Sequence, residues 1–244
     1  MANTYFQFKE FIVHQEHASM KVCTDACLFG AWAIQDPTLA NASSILDIGT
    51  GTGLLSLMCA QKNTTAKITA VEIEQGAAKE ARSNVDLSEW KGRLEIVNCS
   101  IQDFADKHNG KFECIISNPP FFESDLNSPD DNKNLASHSA ALPWTEFATA
   151  VANLLDTNGN FYVIIPSIRA YTMQKNMESN GLHLVEETTV FNKEKQLPFR
   201  SFLKFTNSAE KITAVKRDKL FIKQADNTYT DQFKALLEDF YLQF

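Results

Sequence analysis

Asn118 is followed by Pro119, Pro120, Phe121 and Phe122, directly after the apolar run 112–116. Proline donates no backbone N–H and has a fixed φ, so a strand must stop here. Pro119 biases Asn118 to extended backbone, and Pro120 does the same for Pro119. The Asn118 side-chain oxygen and the Pro119 carbonyl are thereby held outward as two acceptors. Phe121 adds a flat face, on which stacking a base is worth ~1–3 kcal/mol. An amine conjugated to a ring is a poor nucleophile, because its lone pair is delocalised. Two acceptors on its hydrogens draw the nitrogen toward tetrahedral geometry. The corner suits a planar amine that must be made reactive. The alternative is a strand-ending turn with a hydrophobic plug, and Phe122 fits either role.

A second group of residues lies upstream. Asp47 precedes Gly49, Thr50, Gly51 and Gly53, with glycines at alternate positions. Glycines there permit positive φ and close approach of the backbone to a ligand. Glu72 stands nineteen residues after Gly53. An acid so placed, at the end of the next strand, accepts hydrogen bonds from both ribose hydroxyls. Loop and acid together imply a nucleoside-containing cofactor. A dinucleotide fingerprint has the spacing G-x-G-x-x-G and carries a pyrophosphate. Here the spacing is G-x-G-x-G, and a carboxylate beside a pyrophosphate would be repulsive. Asp47 instead suits a ligand with an ammonium group. Asp103, in Ser-Ile-Gln-Asp, reads on its own as a helix N-cap.

The elements that must hold these residues alternate. Residues 45–48, 67–72, 94–97, 112–117 and 161–165 read as strands, with helices over 54–61, 75–87, 144–155 and 169–179. Two final strands are expected at 182–191 and 201–206. Such alternation implies an α/β fold, a mostly parallel sheet with helices on both faces. Ligands then bind beyond the carboxyl ends of the strands, where each motif above sits. Residues 6–14 suggest a strand or hairpin. Thr24 and Asp25 precede an apolar run as a helix-capping signal. Residues 230–241 have helical apolar spacing and read as a packed C-terminal helix. The polar stretch 123–141 is a long loop beside the site, of the kind that serves as a lid.

The chain has 244 residues, of which 44% are hydrophobic and 22% charged, ordinary for a globular domain needing no disulfide or metal. Its five cysteines are scattered, without the pairing of a zinc site or a disulfide framework. Met1 to Lys9 lacks the apolar core of a secretory leader, so a cytoplasmic location is expected. No apolar run approaches the ~20 residues of a membrane span. The net charge of −7 argues against a nonspecific nucleic-acid coat, which would be basic. It leaves room for local basic surfaces: Lys211, Lys216, Arg217, Lys219 and Lys223 cluster late, and Lys193, Lys195 and Arg200 surround a Pro-Phe loop.

The glycine loop with its leading aspartate resembles the S-adenosylmethionine loop of class I methyltransferases. Asn-Pro-Pro-Phe resembles the fourth motif of amino-directed methyltransferases. That motif is shared by adenine-N6, rRNA guanine-N2 and release-factor glutamine-N5 enzymes. The stretch 11–32, with Met20-Lys-Val-Cys-Thr-Asp-Ala-Cys-Leu-Phe-Gly-Ala-Trp32, resembles the opening of bacterial tRNA1(Val) adenine-N6 methyltransferases, and 229–242 resembles their end. The resemblance implies a class I Rossmann-like fold: a mostly parallel seven-stranded sheet with an antiparallel C-terminal strand. It implies an N-terminal strand/helix extension over 1–43 and a methyltransferase domain over 44–244.

The cofactor it implies is S-adenosylmethionine. Asp47, Gly49, Thr50, Gly51 and Gly53 would hold the methionine part, Glu72 the ribose and Asp103 the adenine amino group. Thr24 and Asp25 would help close the pocket. Asn118, Pro119, Pro120 and Phe121 would be catalytic. The implied substrate is the anticodon stem-loop of a tRNA, bound by a monomer without a metal. Candidate RNA contacts are Lys21, Phe122, His138, Arg200, Lys216, Arg217 and Lys219. His138 taken alone reads as a surface histidine, and Lys21 to Asp25 as a strand end with a cap. Two rivals remain: methyl transfer to rRNA guanine or a release-factor glutamine, and a non-catalytic RNA-binding module. The first would usually add an N-terminal helical domain in its glutamine form. The second has no use for Asp47, Glu72 and Asn118 together.

Overall fold

The computed structural model describes residues 3–17, 20–119, 142–208 and 214–244. Two short strands, β1 (Tyr5–Gln7) and β2 (Ile12–His14), pair antiparallel. Helix α1 (Thr24–Ile34) and the one-turn α2 (Pro37–Ala40) follow. An alternating series then runs β3 (Ser44–Ile48), α3 (Leu54–Lys62), β4 (Lys67–Glu72), α4 (Gln75–Asp86), β5 (Leu94–Asn98), α5 (Ile101–Lys107) and β6 (Phe112–Ser117). Later come α6 (Trp144–Leu154), β7 (Leu155–Pro166), α7 (Ala170–Glu178), β8 (His183–Lys193), β9 (Arg200–Thr206), β10 (Lys216–Lys223) and α8 (Asp231–Leu237).

One sheet carries eight of these strands in the order β10-β8-β9-β7-β6-β3-β4-β5. Only β9 runs antiparallel to its neighbours, β7 and β8. The chain enters the sheet at β3, winds outward to β5, and returns to β6 on the other side of β3. The carboxyl ends of β3 and β6 thus flank a switch point, where such sheets bind ligands.

The sheet has one strand more than the seven expected. The addition is β10, which joins β8 in parallel at the edge. Its sequence KRDKLFIK hides it, because residues 216–219 lie exposed and only Leu220 and Ile222 are buried. Charges on an edge strand deter pairing with other chains, so they are at home there. Strand β7 also starts earlier than expected, at Leu155, and passes through Asn158 with φ 62°.

Alternate strand residues feed two cores. Ile45 packs with α1, α3, α4 and α8 on one face, while Leu46 and Ile48 pack with α5, α6 and α7 on the other. Helix α4 shows why such helices form. Glu74 caps it by accepting from the N–H groups of Gly76 and Ala77, and Ala77, Ala78, Ala81 and Val85 form its buried stripe. The helix expected after Thr24 and Asp25 instead includes both in its first turn, and Cys23 holds the cap position without a side-chain bond. No described helix is long and apolar enough to cross a membrane.

The N-terminal segment is tied to the switch point by buried polar side chains. Asn84 accepts from His14 N at 2.9 Å and donates to the carbonyls of His14 and Thr52, both at 2.9 Å. Glu80 Oε1 accepts from His17 N at 3.0 Å, and Gln15 Oε1 from Val22 N at 2.8 Å. Residues 14–17 are thereby held against α4, and residues 20–22 reach the glycine loop. Replacing Asn84 by Ala strips partners from backbone groups of both. We expect Asn84→Ala to lower unfolding stability by ~1–3 kcal/mol. The readout is a lower urea midpoint with an unchanged slope. A midpoint equal to wild type would rule out Asn84 as the tie.

Candidate active site

Asp47 is fully buried, one residue before the end of β3. Its Oδ2 accepts from Thr50 Oγ1 at 2.6 Å and Ser56 Oγ at 2.7 Å. Its Oδ1 is buried with no hydrogen-bond partner. For Thr50 to reach back to Asp47, the chain must turn at once. It does so through Gly49 at φ 71°, Gly51 at 56° and Gly53 at 86°, a left-handed path that side chains resist. Gly49 N and Thr50 N both donate to Val71 O, which fastens the loop to β4.

Glu72 closes the next strand. Its Oε2 accepts from Gly51 N at 2.8 Å and its Oε1 from Glu74 N at 2.9 Å. Across the switch point stands Asn118, one residue past β6. Its Oδ1 is also buried without a partner, and its Nδ2 lies 3.6 Å from Met20 Sδ. Two adjoining cavities open here and share Gly49 and Ile73 in their walls. The smaller, about 160 Å³, is lined by Met20, Lys21, Gly51, Glu72 and Asn118 among others. The larger, about 670 Å³, has Ile73, Asp103, Pro119, Trp144 and Phe147 in its walls.

Several of the expected site residues meet at this cleft. Gly49, Thr50, Gly51 and Glu72 line it, with Asn118 and Pro119 beside them, while Asp47 lies buried behind the loop, bonded to Thr50, and Gly53 precedes α3. Asp103 lines the larger lobe but is not the cap of α5. Ser100 takes that position, accepting from Asp103 N at 3.0 Å and donating to Asp103 Oδ2 at 2.8 Å. Lys21 lines the smaller lobe, its Nζ 3.5 Å from Asn3 O. Thr24 and Asp25 stand at the start of α1, outside both linings. Asp25 Oδ2 pairs with Arg200 Nε at 2.7 Å.

Arg200 is therefore paired within the fold. Lys216 pairs with Glu186 at 2.7 Å and Asp218 at 3.0 Å, and Arg217 lies 3.5 Å from Glu187. Pro120, Phe121, Phe122, His138 and the loop 123–141 lie outside the described residues. Sequence reasoning missed Met20, Ser56, Ile73 and Trp144. Ile73 had a local signal, an apolar residue directly after the ribose-type acid. Ser56 and Met20 had none, because their partners are set by the fold. Among the described residues no group of three or more His, Cys, Asp or Glu is placed to hold a metal.

Fold and site together define a class I methyltransferase. Residues 33–193 match the family model described as methyltransferase small domain. The chain is 40% identical over 243 residues to a protein of Dyadobacter fermentans named tRNA1(Val) (adenine(37)-N6)-methyltransferase, with 99% of each chain covered. It is 37% identical over 242 residues to a protein of Haemophilus influenzae with the same name, covering 98% of this chain and 99% of that one. The chain belongs to the methyltransferase small-domain family and, within it, to the family of these relatives. Among solved structures, a predicted O-methyltransferase of Agrobacterium tumefaciens superimposes with TM-score 0.66 at 15% identity, covering 88% of this chain and 95% of that one. The T. thermophilus 16S rRNA N2 G1207 methyltransferase, in complex with AdoMet and guanosine, gives 0.57 at 16% identity, covering 83% and 49%. These two likenesses show the fold.

Burial pushes the Asp47 carboxyl up to about 6; the Thr50 and Ser56 hydroxyls pull it down, and the charge of Glu72 adds to the rise. Its folded value lies above the ~3.9 of an unfolded aspartate, so the folded state binds more protons between the two. The stability Asp47 contributes is highest below about pH 4 and falls as pH rises to about 6. Asp47→Asn keeps an acceptor for both hydroxyls and removes the charge. It should stabilise the ligand-free protein by roughly 2–3 kcal/mol above about pH 6, with the gain gone by about pH 4. Urea midpoints at about pH 4 and pH 7.5 test this. A difference independent of pH would show that the Asp47 charge is not the cause.

Proposed function

We propose that the chain transfers the methyl group of S-adenosylmethionine to N6 of adenine 37, the base 3′ of the anticodon, in tRNA1(Val), the reaction its relatives' names describe. The observation that carries this reading is the orphaned Asn118 Oδ1 at the switch point, in the wall of a cavity that Glu72 and the glycine loop also line. A buried acceptor without a partner is costly, and a donor from a ligand removes that cost.

The cleft residues fit S-adenosylmethionine. The unpartnered Asp47 Oδ1 supports an ammonium group held at this end of the loop. Gly49 and Gly51 leave open space where a Cβ would stand, so the backbone is free to approach a ligand. The Glu72 carboxylate would take the ribose hydroxyls with its remaining lone pairs. Asp103 would accept from the adenine amino group, with Ile73 and Phe147 against the ring. The bound cofactor supplies a methyl already activated on a sulfonium.

The remaining work is positioning and electrostatics. The target adenine leaves its stack, which a loop base does more cheaply than a duplex base. Asn118 Oδ1 and the Pro119 carbonyl accept from the two N6 hydrogens and aim the nitrogen lone pair at the methyl carbon. Held by these two acceptors, the amine would take up the methyl that the cofactor supplies as it gives up one proton to solvent. The stacking role for Phe121 rests on its place in the motif. A tRNA substrate goes with a cytoplasmic enzyme acting as a monomer on the anticodon stem-loop.

Labelled S-adenosylmethionine offered to total tRNA, total rRNA and a release factor separates the readings. The proposal expects N6-methyladenosine in one valine tRNA; label confined to rRNA guanine or to glutamine would sink it. Asn118→Ala should reduce transfer by about 100-fold or more, by analogy with loss of an oxyanion-hole group. Its affinity for S-adenosylmethionine should stay near wild type. Lost cofactor binding in that variant would refute the role given to Asn118.

A further inference from the structure

Strands β8 and β10 overrun the rest of the sheet. Pro166, the last residue of β7, is level with Arg200 of β9, and Arg200 is level with Val190 of β8. Strand β8 continues to Lys193, and β10 keeps pace to Lys223. Three extra residues raise this edge about 10 Å above the end of β7. Strand β8 stands three strand spacings from β6 and β10 four, roughly 14 and 19 Å to the side of Asn118.

The raised edge carries three lysines, with Glu194 exposed between Lys193 and Lys195. Lys193 and Lys223 occupy partnered positions, so two like charges stand side by side. Lys195 follows in the turn at φ 65°. None of the three has a carboxylate within ion-pair distance among the described residues; Lys223 lies over the Tyr229 ring at 5.9 Å. Lys193 lowers the pKa of Asp226, yet that carboxylate is bound to Thr228 N and Oγ1, at 2.9 and 2.6 Å.

Large apolar side chains stand on the same rim. Leu197 is 89% exposed, Ile168 88% and Tyr171 69%. The turn carrying Leu197 is joined to the turn carrying Ile168 through Ser167 N donating to Phe199 O at 3.3 Å. Cations outside ion pairs, beside exposed apolar faces, match a polyanion with unstacked bases.

We propose that this rim docks the substrate RNA. Lys193, Lys195 and Lys223 take phosphates near the methylated base, while Ile168, Tyr171 and Leu197 receive splayed loop bases. The proposal rests on the tRNA reading above and adds the docking surface to it. It also displaces Lys216 and Arg217, whose charges are met by Glu186, Asp218 and Glu187.

The test is steady-state methylation of a valine tRNA transcript across a salt series. The Lys193→Gln, Lys195→Gln, Lys223→Gln triple variant should raise KM for tRNA about tenfold or more, and flatten the slope of log(kcat/KM) against log salt by about 2. Its kcat and its affinity for S-adenosylmethionine should match wild type. An Ile168→Ser, Leu197→Ser variant should raise KM without changing the salt slope. The Lys216→Gln, Arg217→Gln variant should behave as wild type. An active wild type with an unaffected triple variant overturns the docking surface alone, as does a KM effect found only in the Lys216, Arg217 variant. A wild type that transfers no methyl to tRNA overturns both this surface and the function it rests on.

Discussion

A carboxylate with no exposure, at the end of a central strand, is the constraint around which the site is built. Burying an unpaired charge is expensive, and hydrogen bonds recover only part of it. Asp47 has two hydroxyl donors on one oxygen and nothing on the other. Satisfying even that half dictates the loop. Thr50 must fold back three residues, so Gly49 and Gly51 take left-handed angles; Ser56 must face inward, so α3 starts directly after Gly53. Glu72 then brings a second carboxylate to the same loop and raises Asp47 further. Neither acid is in an ion pair among the described residues. Local costs gathered in one place, with no structural gain to offset them, mark a functional site.

The rest of the fold aims other groups at this point. The return of the chain to β6 sets Asn118 opposite the glycine loop, and the parallel register of β3 with β6 fixes the height at which it emerges. The N-terminal segment covers the cleft from the α4 side, held by Asn84, Glu80 and Gln15. That hold carries Met20 to Asn118 and Lys21 to the smaller lobe. Met20, Lys21, Val22 and Ala26 therefore form part of the cleft's wall, although they precede the large sheet in sequence.

The chemistry was legible where it is local. Asp47 to Gly53 is seven residues, the step to Glu72 is one helix and one strand, and Asn-Pro-Pro constrains its own backbone. The alternation of strands and helices was legible because each buried strand is a short apolar run. Legibility ended where a residue's meaning depends on distant partners. Strand β10 reads as a charged run because only Leu220 and Ile222 face the core. Asp103 reads as a cap, yet Ser100, three residues earlier, takes the backbone bond. Asp25 and Arg200 are 175 residues apart in the chain and 2.7 Å apart in space.

The same dependence governs how an acidic chain meets a polyanion. A net charge of −7 counts every lysine and arginine equally, but a cation facing a carboxylate presents little field to a ligand. Lys204 with Asp36, Arg200 with Asp25, and Lys216 with Glu186 and Asp218 are largely neutralised where they stand. What attracts RNA is the residue of charge left after pairing, and its position relative to Asn118. On this chain that remainder includes the overrunning edge of β8 and β10. The chain as a whole, at a net charge of −7, repels backbone phosphates. A few lysines at the carboxyl end of the sheet, against an otherwise repulsive surface, orient a stem-loop by exclusion as much as by attraction.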